Sequence, residues 1–301
     1  MSSEQLQKLV EMIHSGPELG ALPLDELRVA FDDMGDITPP DPAITYEAVV
    51  ANAVPCEIGI APGSRLEGTI FYLHGGGYVI GSFKSHRGLV GRLGKAARMR
   101  TFAVDYRLAP EHPFPAAVDD ALAAYQWLLD SGTPPDKIFF AGDSAGGGLI
   151  VATLLRCKEQ KVPLPRAAVL FSPFADMATT GQSLIDNRDR DVIVTEGMAP
   201  GMAATYLAGA DARSPEASPI YGDFAGLPPI LVQVSSHEVL LDDSLRLIRA
   251  ATLADVPVHL RVYQGLPHVW QLFAAVLDEG QAAIEEAGLF MDKHFSAESR
   301  G

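Results

Sequence analysis

The chain has 301 residues, 48% of them hydrophobic and 20% charged, with a formal net charge of −15. That balance excludes a disordered polypeptide and supplies enough apolar side chains for a sheet buried on both faces. The negative charge, with no cluster of Lys and Arg, excludes nucleic acid as a partner and weighs against stable membrane association.

The N-terminal MSSEQLQKLVEMIHSG has scattered charges and no apolar stretch of signal-peptide length. No segment reaches the roughly 18 uninterrupted apolar residues of a membrane span, so the expected location is cytoplasmic. Cys56 and Cys157 are too few for a disulfide framework and lack metal-ligand spacing; they are expected to be reduced structural thiols, and no metal is implied.

Residues 1 to 40 predict one or two amphipathic helices, with Leu6, Leu9, Val10 and Ile13, then Leu24, Leu27, Ala30 and Phe31, at helical spacing. The Pro-rich run Thr38 to Pro42 ends them. Strands are predicted over 44–50, 58–61 and 68–73, then over 101–104, 137–141, 167–171, 229–234 and 258–262. Helices are predicted near 86–98, 116–130, 145–159, 243–254 and 270–290. Strand followed by helix, repeated, specifies an α/β fold: a mainly parallel sheet of about eight strands wrapped by helices.

One interval breaks the alternation. Between Asp176 and Ser218 no strand is convincing, and the segment carries the charged run Asp186 to Asp191 before a helical stretch near 196–208. An insertion of that size after a strand reads as a lid or specificity element rather than plain surface helices. The expected organisation is N-terminal cap helices over 1–43, a catalytic body over 44–175 and 219–301, and an inserted cap segment over 176–218.

Gly142-Asp143-Ser144-Ala145-Gly146 matches the nucleophile elbow G-x-S-x-G, a modest signal alone. Its context strengthens it, because an apolar strand runs directly into it and a helix directly out. Ala145 then presents its N–H at a helix N-terminus, toward an oxygen that becomes negative during acyl transfer. Upstream, Gly75, Gly76 and Gly77 follow His74 at a strand end, where such a run costs backbone entropy and brings N–H groups to the same oxygen.

A nucleophilic Ser needs a base, and His268 follows the last predicted strand, where the loops of such a sheet converge. His237, His259 and His294 also lie downstream; His259 falls within a strand and His294 in the terminal tail. The acid belongs in the loop after strand 229–234. Glu238, Asp242 and Asp243 compete there, and the two Asp residues suit the first turn of the next helix, where the dipole favours negative charge. Glu238 is therefore the preferred acid.

Taken together, His74 to Gly77, Asp105 to Pro115, Gly142 to Gly147 and Gly265-x-x-His268 closely resemble the bacterial hormone-sensitive-lipase family of carboxylesterases, over roughly residues 40 to 295. The acid departs from the pattern: most members carry Asp where this chain has Glu238, four residues before Asp242. The resemblance implies an α/β-hydrolase fold with a helical cap, and hydrolysis of small-molecule esters with short to medium acyl chains. It also implies a Ser144–His268–Glu238 triad, oxyanion N–H groups from Gly76, Gly77 and Ala145 with Gly75 as a further contributor, no cofactor, and a homodimer. The Asp105 to Pro115 stretch reads as a rigid, salt-bridged loop, and Tyr206 and Leu207 as core rather than acyl-pocket lining. Two rival readings are a non-catalytic binding protein on the same fold, which would be expected to lack one of the three triad residues, and amide or lactone hydrolysis by the same triad.

Overall fold

In the computed structural model, residues 3–17, 20 and 22–296 are described. Two amphipathic helices come first, α1 (Glu4–Ser15) and α2 (Leu24–Met34), the former capped by the Ser3 side chain accepting from the Leu6 N–H. Strands β1 (Thr45–Ala51) and β2 (Val54–Ile60) pair antiparallel. Asn52 and Ala53, at φ 48° and 70°, make the two-residue turn between them.

From there strands and helices alternate: β3 (Arg65–Leu73), α3 (Phe83–Ala97), β4 (Met99–Val104), α4 (Ala116–Asp130), β5 (Ile138–Asp143), α5 (Ala145–Gln160) and β6 (Ala167–Phe171). After the insertion, which holds α6 (Ser183–Asp186) and α7 (Met198–Leu207), come β7 (Ile230–Ser235), α8 (Leu241–Leu253), β8 (Val258–Tyr263) and α9 (Asp278–Ser296). The sheet order is β1-β2-β4-β3-β5-β6-β7-β8, with β1 and β2 antiparallel and every pairing from β4 to β8 parallel.

Period-two alternation gives the sheet two apolar faces. Ile70 and Tyr72 of β3 pack on one side with Leu89 and Leu93 of α3 and Met291 of α9. Phe71 and Leu73 pack on the other with Tyr125 of α4 and Leu149 of α5. Cys56 and Cys157 are unpaired and buried. Among the described residues, no helix is long and apolar enough to cross a membrane.

The segment expected as one helix over 270–290 is instead a 3-10 turn, Trp270–Phe273, followed by α9 from Asp278. The apolar spacing of Trp270, Phe273 and Leu277 runs through the break because all three fill one core with Leu6 and Leu9 of α1. Trp270 also donates its indole N–H to Glu279 O at 3.2 Å, and Asp278 and Glu279 begin α9 with charge that suits a helix N-terminus.

The loop over 105–115 has no regular structure and is pinned at both ends. Arg107 pairs with Asp120 at 2.7 Å and Glu111 with Arg28 at 2.8 Å. Leu27 of α2 packs on Val79, Ile80 and Ala109, with Met202 of α7 against the same cluster. Tyr206 of α7 is buried and stacks on Tyr78, ring centroids 3.8 Å apart. Leu207 is buried beside it.

Candidate active site

The site assembles at the carboxyl ends of β3, β5, β6, β7 and β8. Ser144 sits between β5 and α5 at φ 50° and ψ −121°, a region that costs about 1–3 kcal/mol for a residue with a Cβ. Flanking bonds hold it there: its N–H donates to Phe171 O at 2.8 Å, and its carbonyl accepts from Phe174 N at 2.8 Å and Gly148 N at 3.1 Å.

His268 and Glu238 complete a continuous line. Ser144 Oγ lies 2.9 Å from His268 Nε2, and His268 Nδ1 donates to Glu238 Oε2 at 2.6 Å. Glu238 is fully buried, and its other oxygen accepts from Ser235 N at 2.6 Å and Ser172 Oγ at 2.8 Å. Burial opposes a positive charge on His268, but the adjacent Glu238 carboxylate outweighs it and leaves the imidazole pKa above its ordinary value.

The rival residues are engaged elsewhere. Asp242 accepts from Ser183 N at 2.9 Å, and Asp243 from the N–H groups of Ala175 and Asp176 at 2.8 and 2.9 Å. Both lie in the first turn of α8. His259 meets the Phe290 ring edge-on, and His294 bonds the Phe290 carbonyl at 2.9 Å. His237 lies in the loop before α8 with its backbone N–H on Ser235 Oγ.

The glycine run meets the elbow by direct backbone approach. A Cβ on Gly146 would overlap the carbonyl oxygens of Leu73 and His74, and one on Gly75 would overlap the Asp143 carboxylate. Only hydrogen fits at either position. Among the described residues, no hydrogen bond engages the N–H groups of Gly76, Gly77 or Ala145. Gly75 differs from Gly76, Gly77 and Ala145 in that its N–H is already engaged, donating to Asp143 Oδ1 at 3.0 Å.

A family model described as the α/β-hydrolase fold matches residues 70–272. An acetyl-hydrolase of Streptomyces hygroscopicus is 42% identical over 298 residues, 97% of each chain. The chain also superposes on an esterase from the bacterial hormone-sensitive lipase family with a TM-score of 0.94 at 44% identity, covering 98% of this chain and 100% of that one. The chain belongs to the bacterial hormone-sensitive-lipase family of α/β-hydrolases. It is a carboxylic ester hydrolase. A structure of the esterase EstE5 soaked with p-nitrophenyl butyrate is similar as well, with a TM-score of 0.93, 40% identity, and 98% of this chain and 100% of that chain covered.

Some residues that shape this hydrolase site carried no signal that sequence reasoning used. Asp143 is buried behind the elbow, where its carboxylate also accepts from Tyr72 OH at 2.7 Å and faces His86 Nε2 at 3.3 Å. Burial alone would raise its pKa, but His86 and Tyr72 outweigh that and hold it below the usual carboxylate range. His74 donates from Nδ1 to Gly75 O at 2.7 Å and stacks on Tyr106. Burial and the neighbouring His86 push it down to about 4, so it stays neutral. Asp143 was visible inside the elbow motif, but its partners come from β3 and α3. Ser172, at the end of β6, had no pattern to reveal it.

The variant Gly146→Ala tests the close approach. Its methyl group displaces the end of β3 and the 74–77 run from the elbow, and a shift of about 1 Å at such a site costs on the order of 100-fold in kcat/KM. Ester hydrolysis within twofold of wild type, in a variant folded by circular dichroism, would contradict it.

Proposed function

We propose that this enzyme hydrolyses short- to medium-chain acyl esters through a Ser144–His268–Glu238 triad and an acyl-enzyme intermediate. The observation that carries the reading is the buried line from Ser144 Oγ through His268 to Glu238, at 2.9 and 2.6 Å. His268 Nε2 takes the Ser144 proton as Oγ attacks the ester carbonyl carbon. The oxyanion that forms faces the unengaged N–H groups of Gly76, Gly77 and Ala145. Its collapse breaks the bond to the alcohol oxygen, which leaves with the proton from His268. Water then gives a proton to His268 and attacks the acyl carbon, and Ser144 departs with that proton as the carboxylic acid forms. Glu238 fixes the Nδ1–H tautomer and stabilises the imidazolium. The scheme uses no cofactor.

The chain-length reading draws on the groove between α1, α2 and residues 192–195, about 530 Å³ and lined by Met12, Ile13, Met34, Ile37 and Ile193. Met34, Ile37 and Ile193 pack against the cluster of Leu266 and Trp270, which flank His268 in sequence. We assign the acyl chain to this groove, with the N-terminal helices and the 176–218 insertion as its cap. A p-nitrophenyl series from acetate to decanoate measures it. Activity is expected on short and medium chains, falling for long ones, with Ser144→Ala inactive throughout. An active Ser144→Ala removes the mechanism, and a flat profile removes the groove assignment.

The raised pKa of His268 sets the acid limb of the pH–rate profile, because only the neutral imidazole accepts the Ser144 proton. A pKa above the ordinary value means activity is lost as pH falls through that raised value. Glu238→Gln removes the negative partner, so the limb moves to lower pH while kcat falls. A limb that stays in place in Glu238→Gln would show that Glu238 does not set the charge of His268.

β8 lies at the edge of the sheet, with Val262 exposed. We propose that it pairs with a second copy, since an unpaired strand edge invites addition of another strand. Light scattering should give a dimer mass for wild type and a monomer mass for Val262→Pro. A wild-type monomer at micromolar concentration would end this proposal.

A further inference from the structure

The insertion touches the triad from behind. Between α6 and residue 194 it forms one turn in which Arg190 N and Asp191 N both bond Asn187 O, at 2.8 and 3.0 Å, so Asn187 and Asp191 face the same way. Both are buried, at 4% and 5% exposure. The charged run read from the sequence therefore has two inward members, with Asp186, Arg188, Asp189 and Arg190 left exposed.

Those two side chains grip the backbone on either side of Glu238. Asn187 Nδ2 donates to Ser236 O at 3.1 Å and to Glu238 O at 2.8 Å. Asp191 Oδ2 accepts from Val239 N at 3.0 Å, while its Oδ1 accepts from Ile193 N and Val194 N at 3.0 Å each. Ser183 extends the grip: its Oγ donates to Val239 O at 2.6 Å and accepts from Asp242 N at 3.0 Å. The loop from 236 to 240 has no regular structure of its own before α8, so these bonds, together with Ser235 and Ser172, set where the Glu238 carboxylate lies.

We infer that Asn187 and Asp191 are positioning residues for the reaction, a buried polar clasp by which the inserted segment fixes Glu238 against His268. The inference rests on Glu238 being the triad acid. Polar contacts in a low-dielectric interior are directional and costly to leave unmade, so the loop is held in one place rather than sampling several. Asp191 has a second effect that Asn187 lacks. The charged groups facing His268 are Glu238, Asp191 and Asp143, and all three favour its protonated form.

The test measures Asn187→Ala and Asp191→Asn, alone and combined with Glu238→Ala, on p-nitrophenyl acetate across pH. Circular dichroism and thermal melts confirm folding. Each single variant is expected to lower kcat roughly 10- to 100-fold, the scale of a misplaced catalytic group, with little change in KM. Asp191→Asn also moves the acid limb of kcat/KM to lower pH, because a negative charge facing His268 is gone. Asn187→Ala changes no charge and moves the limb only as far as Glu238 shifts away from His268. In the Glu238→Ala background neither substitution lowers kcat further, since the group they position is absent. Losses that multiply with Glu238→Ala, or wild-type kcat in both single variants, overturn the inference. Should Asp191→Asn fail to fold, Asn187→Ala, which retains the Asp191 bonds, carries the kcat and non-additivity tests. An impaired Glu238→Ala beside normal Asn187→Ala and Asp191→Asn overturns the clasp alone, whereas a fully active Glu238→Ala overturns the triad reading itself.

Discussion

The contact between the end of β3 and the turn from β5 into α5 is the constraint on which the rest of the site depends. The two strands are neighbours in the sheet, with Leu73 opposite Gly142. Their ends can meet only because Gly75 and Gly146 bring no side chain to the meeting point. That approach brings the end of β3 and the residue after it against the first turn of α5, where Gly146 meets the carbonyl oxygens of Leu73 and His74. The strained backbone of Ser144 is tolerable for the same reason: bonds from Phe171, Phe174 and Gly148 over-determine it from three directions.

Two buried carboxylates flank this contact, and each is compensated differently. Asp143 accepts from Gly75 N, Tyr72 OH and the His86 imidazole, so its charge is spent on holding the glycine run. Glu238 accepts from Ser235, Ser172 and His268, so its charge is spent on the imidazole that bonds Ser144. Stripping one partner from a buried pair costs about 3–5 kcal/mol, a large share of a typical stability of 5–15 kcal/mol. Such pairs persist only inside a large core, and here apolar clusters on both faces of the sheet supply it.

Much of the fold was legible because its signals are local. An apolar strand running into G-x-S-x-G and out into a helix identifies the elbow from fewer than twenty contiguous residues, and the structure has β5, Ser144 and α5 in that order. The argument that acids favour a helix N-terminus separated Glu238 from Asp242 and Asp243, and those two do open α8. What escaped depends on distant partners. The N–H of Gly75 is turned toward Asp143, 68 residues away, and Ser172 meets Glu238 across 66 residues. The break before α9 was hidden for another reason: the apolar period is continuous there, because Trp270 and Leu277 fill one cluster from either side of the break.

The covering elements differ in how they grip the body, and that difference divides their labour. Residues 183–191 are tied to the acid loop by buried polar bonds, which are either made in full or costly to break. The helix α1 meets the body largely through apolar side chains, Leu6 and Leu9 on Trp270 and Phe273, whereas α2 joins the contact of Leu27 with Val79 and Ile80 to polar bonds from Arg28 to Val79 O, Ala109 O and Glu111. Apolar contact is non-directional and roughly proportional to area, so side chains there can be exchanged or slide with small graded costs. The groove is bounded by those helices and by residues 192–195, whose backbone N–H groups at Ile193 and Val194 bond Asp191 while the Ile193 side chain faces the groove. On the proposed assignment of groove and acid, side-chain substitutions along the groove reshape what binds without disturbing Glu238, while substitutions inside 183–191 reach Glu238 directly.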